Sequence, residues 1–207
     1  MTQGKFTFVG DYNLYSLVLG MIAVGVTDYV ETGCRRGDTC NAVAFESIIP
    51  VWGCDTNGRA VKIALKQASR QLRLDVARSE AWLPKIVPDL GLLPLFYLDA
   101  HGGKVPVREE LKIIDGLCGT CVIIIHDFIV PGRPKFTGKP AGGVVCDFNY
   151  VARAFGVLAN YRFFYPDYDI PQGQHWAGHL LAFRKVEPFG LESGLWVERS
   201  DCLNEKR

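Results

Sequence analysis

A chain of 207 residues is long enough to bury one substantial core and too short for two ordinary domains. Its composition is that of a globular protein: 48% hydrophobic and 22% charged, with a formal charge of +1. A balance so near neutral leaves no electrostatic footprint for nucleic acid or for an anionic membrane, and neither is expected as a partner.

The longest apolar run, Leu14 to Val26, is interrupted by Tyr15, Ser16 and glycines. It is shorter than the ~20 residues that span a bilayer. Asp11 precedes it and no small-residue cleavage site follows, so a secretory signal fits poorly. A core-packing helix is predicted instead, with Leu14, Leu17, Val18, Met21 and Ile22 on one face.

Strand and helix then alternate with short connections. Thr27 to Glu31 reads as a strand, Thr39 to Ile49 as a helix, and Val51 to Asp55 as a second strand. Arg59 to Leu72 carries Val61, Ala64, Leu65, Ala68 and Leu72 at helical spacing, and a strand follows over Leu72 to Val76. Ser79 is placed to cap a short helix running to Ile86. Leu93 to Asp99 is the fourth strand, and Pro106 opens a helix marked by Val107, Leu111, Ile114 and Cys118.

Cys121 to Ile125 is uniformly apolar and mostly β-branched, as a strand buried on both faces should be. Residues 129–146 hold prolines, glycines and lysines without periodicity, which predicts a substrate loop or lid. Asp147 to Leu158 is the last expected helix, followed by a hairpin-like pair of strands at Tyr161 to Tyr165 and Ala177 to Arg184. Phe189, Leu191, Leu195 and Trp196 of the polar tail are expected to dock on the body.

This alternation implies an α/β fold, with a doubly wound, mostly parallel, seven-stranded sheet and an antiparallel edge strand. It forms a single domain: an N-terminal helical segment (1–26), a core (27–185) and a C-terminal tail (186–207). The seven cysteines are odd in number and scattered through predicted strands and helices, as free thiols in a reducing compartment would be. A cytoplasmic location is therefore expected. Cys118 and Cys121 form a CxxC with no second pair, for which packing is a better account than zinc or redox chemistry.

Four strand-like segments end in an acid or in a turn that contains one: Glu31-Thr32-Gly33, Cys54-Asp55, Leu98-Asp99-Ala100-His101 and Ile125-His126-Asp127. The carboxyl ends of parallel strands share one rim, where such sheets bind ligands. Gly33 and Gly37 let a ligand approach the first turn, although Arg35 stands where a dinucleotide-type turn would have a second glycine. Asp55 follows at about the interval, ~20 residues, at which an acid pairs with ribose hydroxyls; its Asp-Thr-Asn-Gly setting also suits a plain turn. Arg35 and Arg36 could steer a substrate carboxylate or phosphate or simply be solvated, and His175 and His179 read as structural or surface groups.

In this order the segments resemble a class I S-adenosylmethionine (SAM)-dependent methyltransferase over residues 27–185. The E-x-G-x-x-x-G turn and Asp99-Ala100-His101 resemble the macrocin O-methyltransferase and cephalosporin-hydroxylase-like group. Asp127-Phe128-Ile129-Val130-Pro131-Gly132-Arg133-Pro134 is similar to the segment after the fifth strand of catechol-type O-methyltransferases. The resemblance implies a Rossmann-like fold, SAM as cofactor and a small-molecule methyl acceptor, with a homo-oligomer allowed.

By the same resemblance Glu31, Gly33, Gly37, Asp55, Asp75 and Asp99 bind the cofactor. Glu31, Gly33 and Gly37 line its methionine part, Asp55 its ribose, and Asp75 borders the adenine. Asp99, His101, His126 and Asp127 are the candidate catalytic residues, and Asp99, His126 and Asp127 are candidate ligands for Mg2+ or another divalent cation. His126 and Phe128 depart from the family pattern, so a metal, a metal-free histidine base and a structural role all stay open for the histidines. Two rivals also stand: a nicotinamide- or nucleotide-dependent enzyme on a similar sheet, and a non-catalytic binding or scaffold protein.

Overall fold

The computed structural model describes residues 7–101, 105–138, 143–172, 174, 176–192 and 194–199. Five adjacent parallel strands form one side of the sheet: β1 (Asp28–Thr32), β2 (Val51–Asp55), β3 (Leu72–Val76), β4 (Pro94–Leu98) and β5 (Cys121–Ile125). A two-residue strand β6 (Phe136–Thr137) precedes β7 (Tyr161–Pro166); β8 (Trp176–Ala177), β9 (Leu180–Arg184) and β10 (Trp196–Glu198) follow. The main sheet has eight strands in the order β10-β7-β9-β5-β4-β1-β2-β3. β6, within the expected loop, pairs with β8 in a separate parallel ribbon, so the strand expected over Ala177 to Arg184 is divided into β8 and β9.

The α/β, doubly wound, Rossmann-like architecture is as expected, with one strand more than the seven predicted. Trp196–Glu198 adds the eighth, docking antiparallel on β7. The antiparallel strand β9 is internal, inserted between β5 and β7. Three residues in a polar tail carry too short an alternation to be read as a strand.

β1, β4 and β5 are buried along their whole length because helices cover both faces. One face packs Tyr29, Leu95, Tyr97 and Ile124 against α1 (Tyr12–Val24), α2 (Asp38–Glu46) and α3 (Gly58–Ala64). The other packs Val30, Phe96, Ile123 and Ile125 against α4 (Ser79–Ile86), α5 (Val107–Leu117) and α6 (Phe148–Ala152). No helix among the described residues is long and apolar enough to cross a membrane.

Several helices stop earlier than their apolar spacing suggests. α2 ends at Glu46, and α3 ends at Ala64 and tightens into a 3-10 turn over Leu65–Gln67. α6 ends at Ala152, four residues before Gly156, which has φ +60°. Ser79 is the first residue of α4 and does not cap it: its hydroxyl is buried, and Arg78 holds the cap position with its side chain on Glu80 instead of on the helix N–H groups. Phe189, Leu191, Leu195 and Trp196 of the tail dock on the core as expected.

Candidate active site

The parallel register delivers the ends of β1, β2, β4 and β5 to one rim. At the end of β1 the chain bends towards β2, where the Gly33 and Cys34 N–H groups both donate to the Cys54 carbonyl at 2.8 and 3.0 Å. Gly33 has φ +76°, and a Cβ there would lie 2.4 Å from the Asp99 carbonyl oxygen. Only glycine lets this turn rest on the tip of β4. Gly37, with φ +69°, is the N-cap of α2.

Arg35 lies between these glycines and adopts φ +45°, a left-handed conformation that glycine would accept more readily. Its N–H donates to Asp55 Oδ2 at 2.8 Å, while Asp55 Oδ1 accepts the Asn57 N–H at 2.7 Å. Asp55 thus braces the β1 turn from β2. Asp75 accepts the Trp82 indole N–H at 2.8 Å, tying β3 to α4.

Glu31 lies beneath the turn, 3% exposed, on the α2 face of the sheet. It accepts from the Cys40 thiol at 2.9 Å and the Tyr29 hydroxyl at 3.3 Å, and burial pushes its pKa to about 8. On the opposite face Glu110 of α5 is equally enclosed near Thr32 and Ser79, and burial raises it to about 7. Glu110 falls on the same stripe as Val107, Leu111 and Ile114, so an acid on an apolar helix face was the signal that could have found it.

The tips of β4 and β5 bring Asp99, His101, His126 and Asp127 together, as their order along the sequence implied. His101 Nε2 lies 2.9 Å from Asp99 Oδ1 and 3.4 Å from Asp127 Oδ2. His126 Nε2 lies 3.8 Å from Asp99 Oδ1 and 3.6 Å from Asp127 Oδ1. The two imidazoles stack with centroids 6.0 Å apart. Burial works to lower the His101 pKa, but Asp99, Asp127 and Glu110 outweigh it and hold the imidazole above its ordinary value.

This arrangement does not fit a metal centre. The two carboxylates converge on the His101 ring nitrogen, which occupies the place a cation would take. Among the described residues no group of three or more His, Cys, Asp or Glu side chains could hold a metal ion. The cluster can instead hold a positive charge on an imidazole.

Of the two alternatives for His179, structural or surface, the structure fits the first: the side chain is completely buried, with its Nε2 2.9 Å from His126 Nδ1. No local sequence signal marks it, since the contact depends on the antiparallel pairing of β5 with β9. His175 lies outside the described residues. Part of the expected substrate loop forms the β6–β8 ribbon, and Gly132, Arg133, Phe136, Tyr168 and Ile170 help to line a cleft of ≈ 230 Å³ beside it.

No protein-family model and no curated protein matches the sequence. Solved structures do resemble the fold. The O-methyltransferase of Streptomyces achromogenes involved in tomaymycin synthesis, in complex with SAM, superposes with a TM-score of 0.57 at 16% identity, over 84% of this chain and 80% of that one. An O-methyltransferase from Bacillus cereus, in complex with S-adenosylhomocysteine, gives 0.56 at 16% identity, over 89% and 81%. A TehB-like SAM-dependent methyltransferase from Corynebacterium glutamicum gives 0.52 at 14% identity, over 83% and 87%. The chain has the fold of the SAM-dependent methyltransferases.

Proposed function

We propose that this protein is a SAM-dependent methyltransferase acting on an oxygen of a small molecule such as a sugar or polyketide. The observation that carries the reading is the Asp99–His101–His126–Asp127 cluster on the tips of β4 and β5, beside the glycine turn of β1. A dinucleotide-type enzyme would account for Asp55 but not for that cluster.

In this reading Gly33 and Gly37 line the methionine part of the cofactor, with Glu31 beneath them. Asp55 meets the ribose, since each of its oxygens keeps a second lone pair beyond the main-chain bond it accepts. Asp75 borders the adenine, and Asp99 faces the reacting groups. The acceptor oxygen bonds to the sulfonium methyl as the S–CH3 bond breaks, its proton passes to the His101 imidazole, and S-adenosylhomocysteine departs. Asp99 and Asp127 stabilise the imidazolium that results. Placing the oxygen in line with the methyl supplies much of the rate. No step passes through a metal.

A non-catalytic binding module is favoured by two departures, Arg35 where a dinucleotide-type turn has a second glycine and Phe128 after β5. Calorimetric titration with S-adenosylhomocysteine separates the two. Micromolar one-to-one binding is expected; no heat and no thermal stabilisation of a folded sample would remove the methyltransferase reading.

A further inference from the structure

The buried polar chain behind the rim has a role that methyl transfer alone does not assign. His179 sits one residue before β9, and because Ile125 pairs with Leu180 it faces His126 at the end of β5. The Nδ1 of His126 has two neighbours: His179 Nε2 at 2.9 Å and the Tyr97 hydroxyl at 2.8 Å. All three residues are at least nine-tenths buried.

A neutral imidazole carries one N–H and one bare nitrogen. Complete burial, with His126 alongside, keeps His179 neutral by driving its pKa far below the ordinary range. The Nδ1 of His179 has no partner among the described residues. A hydrogen on that atom would be an orphaned buried donor, which is rarer than an under-satisfied acceptor. The hydrogen therefore belongs on Nε2, directed at His126. The Nδ1 of His126 must then be bare, its single in-plane lone pair shared between the His179 N–H and the Tyr97 O–H, and when His126 carries one hydrogen that hydrogen is on its Nε2.

We infer that His179 and Tyr97 are positioning residues that fix His126 in the Nε2–H tautomer, so that His126 meets the rim as a hydrogen-bond donor. In that state its Nε2 has no lone pair for a metal or a substrate proton. The N–H faces the Asp127 and Asp99 carboxylates, and acid–base work at the rim falls to His101. The tautomer follows from the burial and contacts of the three residues; its meaning for catalysis rests on the methyl-transfer reading.

Nitrogen–proton correlation spectra of protein carrying isotope-labelled histidine, at mildly alkaline pH and without cofactor, test it. The chain has only four histidines, and the His126 signals are assigned by their loss in His126→Gln. A protonated-type shift at Nε2 and a bare-type shift at Nδ1 are expected in the wild type. His179→Gln, whose amide still donates, should keep that pattern. Paired His179→Leu and Tyr97→Phe substitutions should move both nitrogens towards the averaged shifts of exchanging tautomers.

A hydrogen on Nδ1 in the wild type, or loss of the pattern in His179→Gln, would overturn the inference. If the paired variant does not fold, the wild type and His179→Gln still decide. A failed S-adenosylhomocysteine titration beside the expected spectra would remove the methyl-transfer reading and leave the tautomer in place.

Discussion

Asp127 leaves β5 with φ +55°, a left-handed backbone that costs a non-glycine residue roughly 1–2 kcal/mol. The strain turns its carboxylate back towards His101 instead of letting the chain run on, and such strain concentrates at working sites. His101→Gln should lower methyl transfer by about 10²–10⁴-fold while S-adenosylhomocysteine still binds, as calorimetry beside a turnover assay would show. Asp99, Asp127 and Glu110 raise the His101 pKa, so the unprotonated base appears only as pH climbs past the ordinary imidazole value. The rate should rise with pH through that raised value, and Asp99→Asn should move the rise to lower pH. The convergence of Asp99, His101, His126 and Asp127 was legible in the sequence, because parallel neighbours end side by side. His179 was not, because its contact with His126 joins residues 53 positions apart through an antiparallel register.

Among the elements, the five parallel strands were read almost to the residue, since continuous apolar runs bounded by turns survive in any tertiary context. Helix ends were read less well. Apolar spacing in Arg59 to Leu72 continues past Ala64, where the chain tightens into a 3-10 turn, and periodicity does not reveal which hydrogen-bond ladder forms. The β1 turn is the element on which the rim depends. A methyl group at Gly33 would press on the Asp99 carbonyl at 2.4 Å and on Ala100 Cα at 2.8 Å, besides straining a left-handed backbone. Gly33→Ala should therefore destabilise the fold by about 2 kcal/mol or more and weaken S-adenosylhomocysteine binding. Chemical denaturation and calorimetry would measure the two effects separately.

The molecule as a whole carries an enclosed carboxyl on each face of its sheet, Glu31 towards α2 and Glu110 on α5, with pKa values of about 8 and about 7. In the unfolded chain such groups lose their protons near the usual 4.5. A folded pKa above the unfolded one means that stability is fully present below about 4.5 and drains away as pH rises towards 8. Glu31→Gln removes one of the two titrations. The fall in melting temperature between those pH values should become shallower, by a difference on the order of 1–4 kcal/mol in stability across the range. Melting curves taken across the range for both proteins would show it, and parallel curves would refute it.

The eighth strand bears on how copies of this protein meet one another. β10 pairs with β7 through Trp196–Pro166, Val197–Tyr165 and Glu198–Phe164, and Arg162 clamps it by forking onto both Glu198 oxygens at 2.7 Å. Without that cover, the aromatic-rich β7 would offer a row of open amides and carbonyls to any extended chain. The far edge of the sheet is guarded differently, by the exposed Arg73 and Asp75 of β3. Charge shields one border, and at the other a three-residue strand covers part of β7, so loss of a few tail residues would bare a longer and more aromatic edge as a template for aggregation.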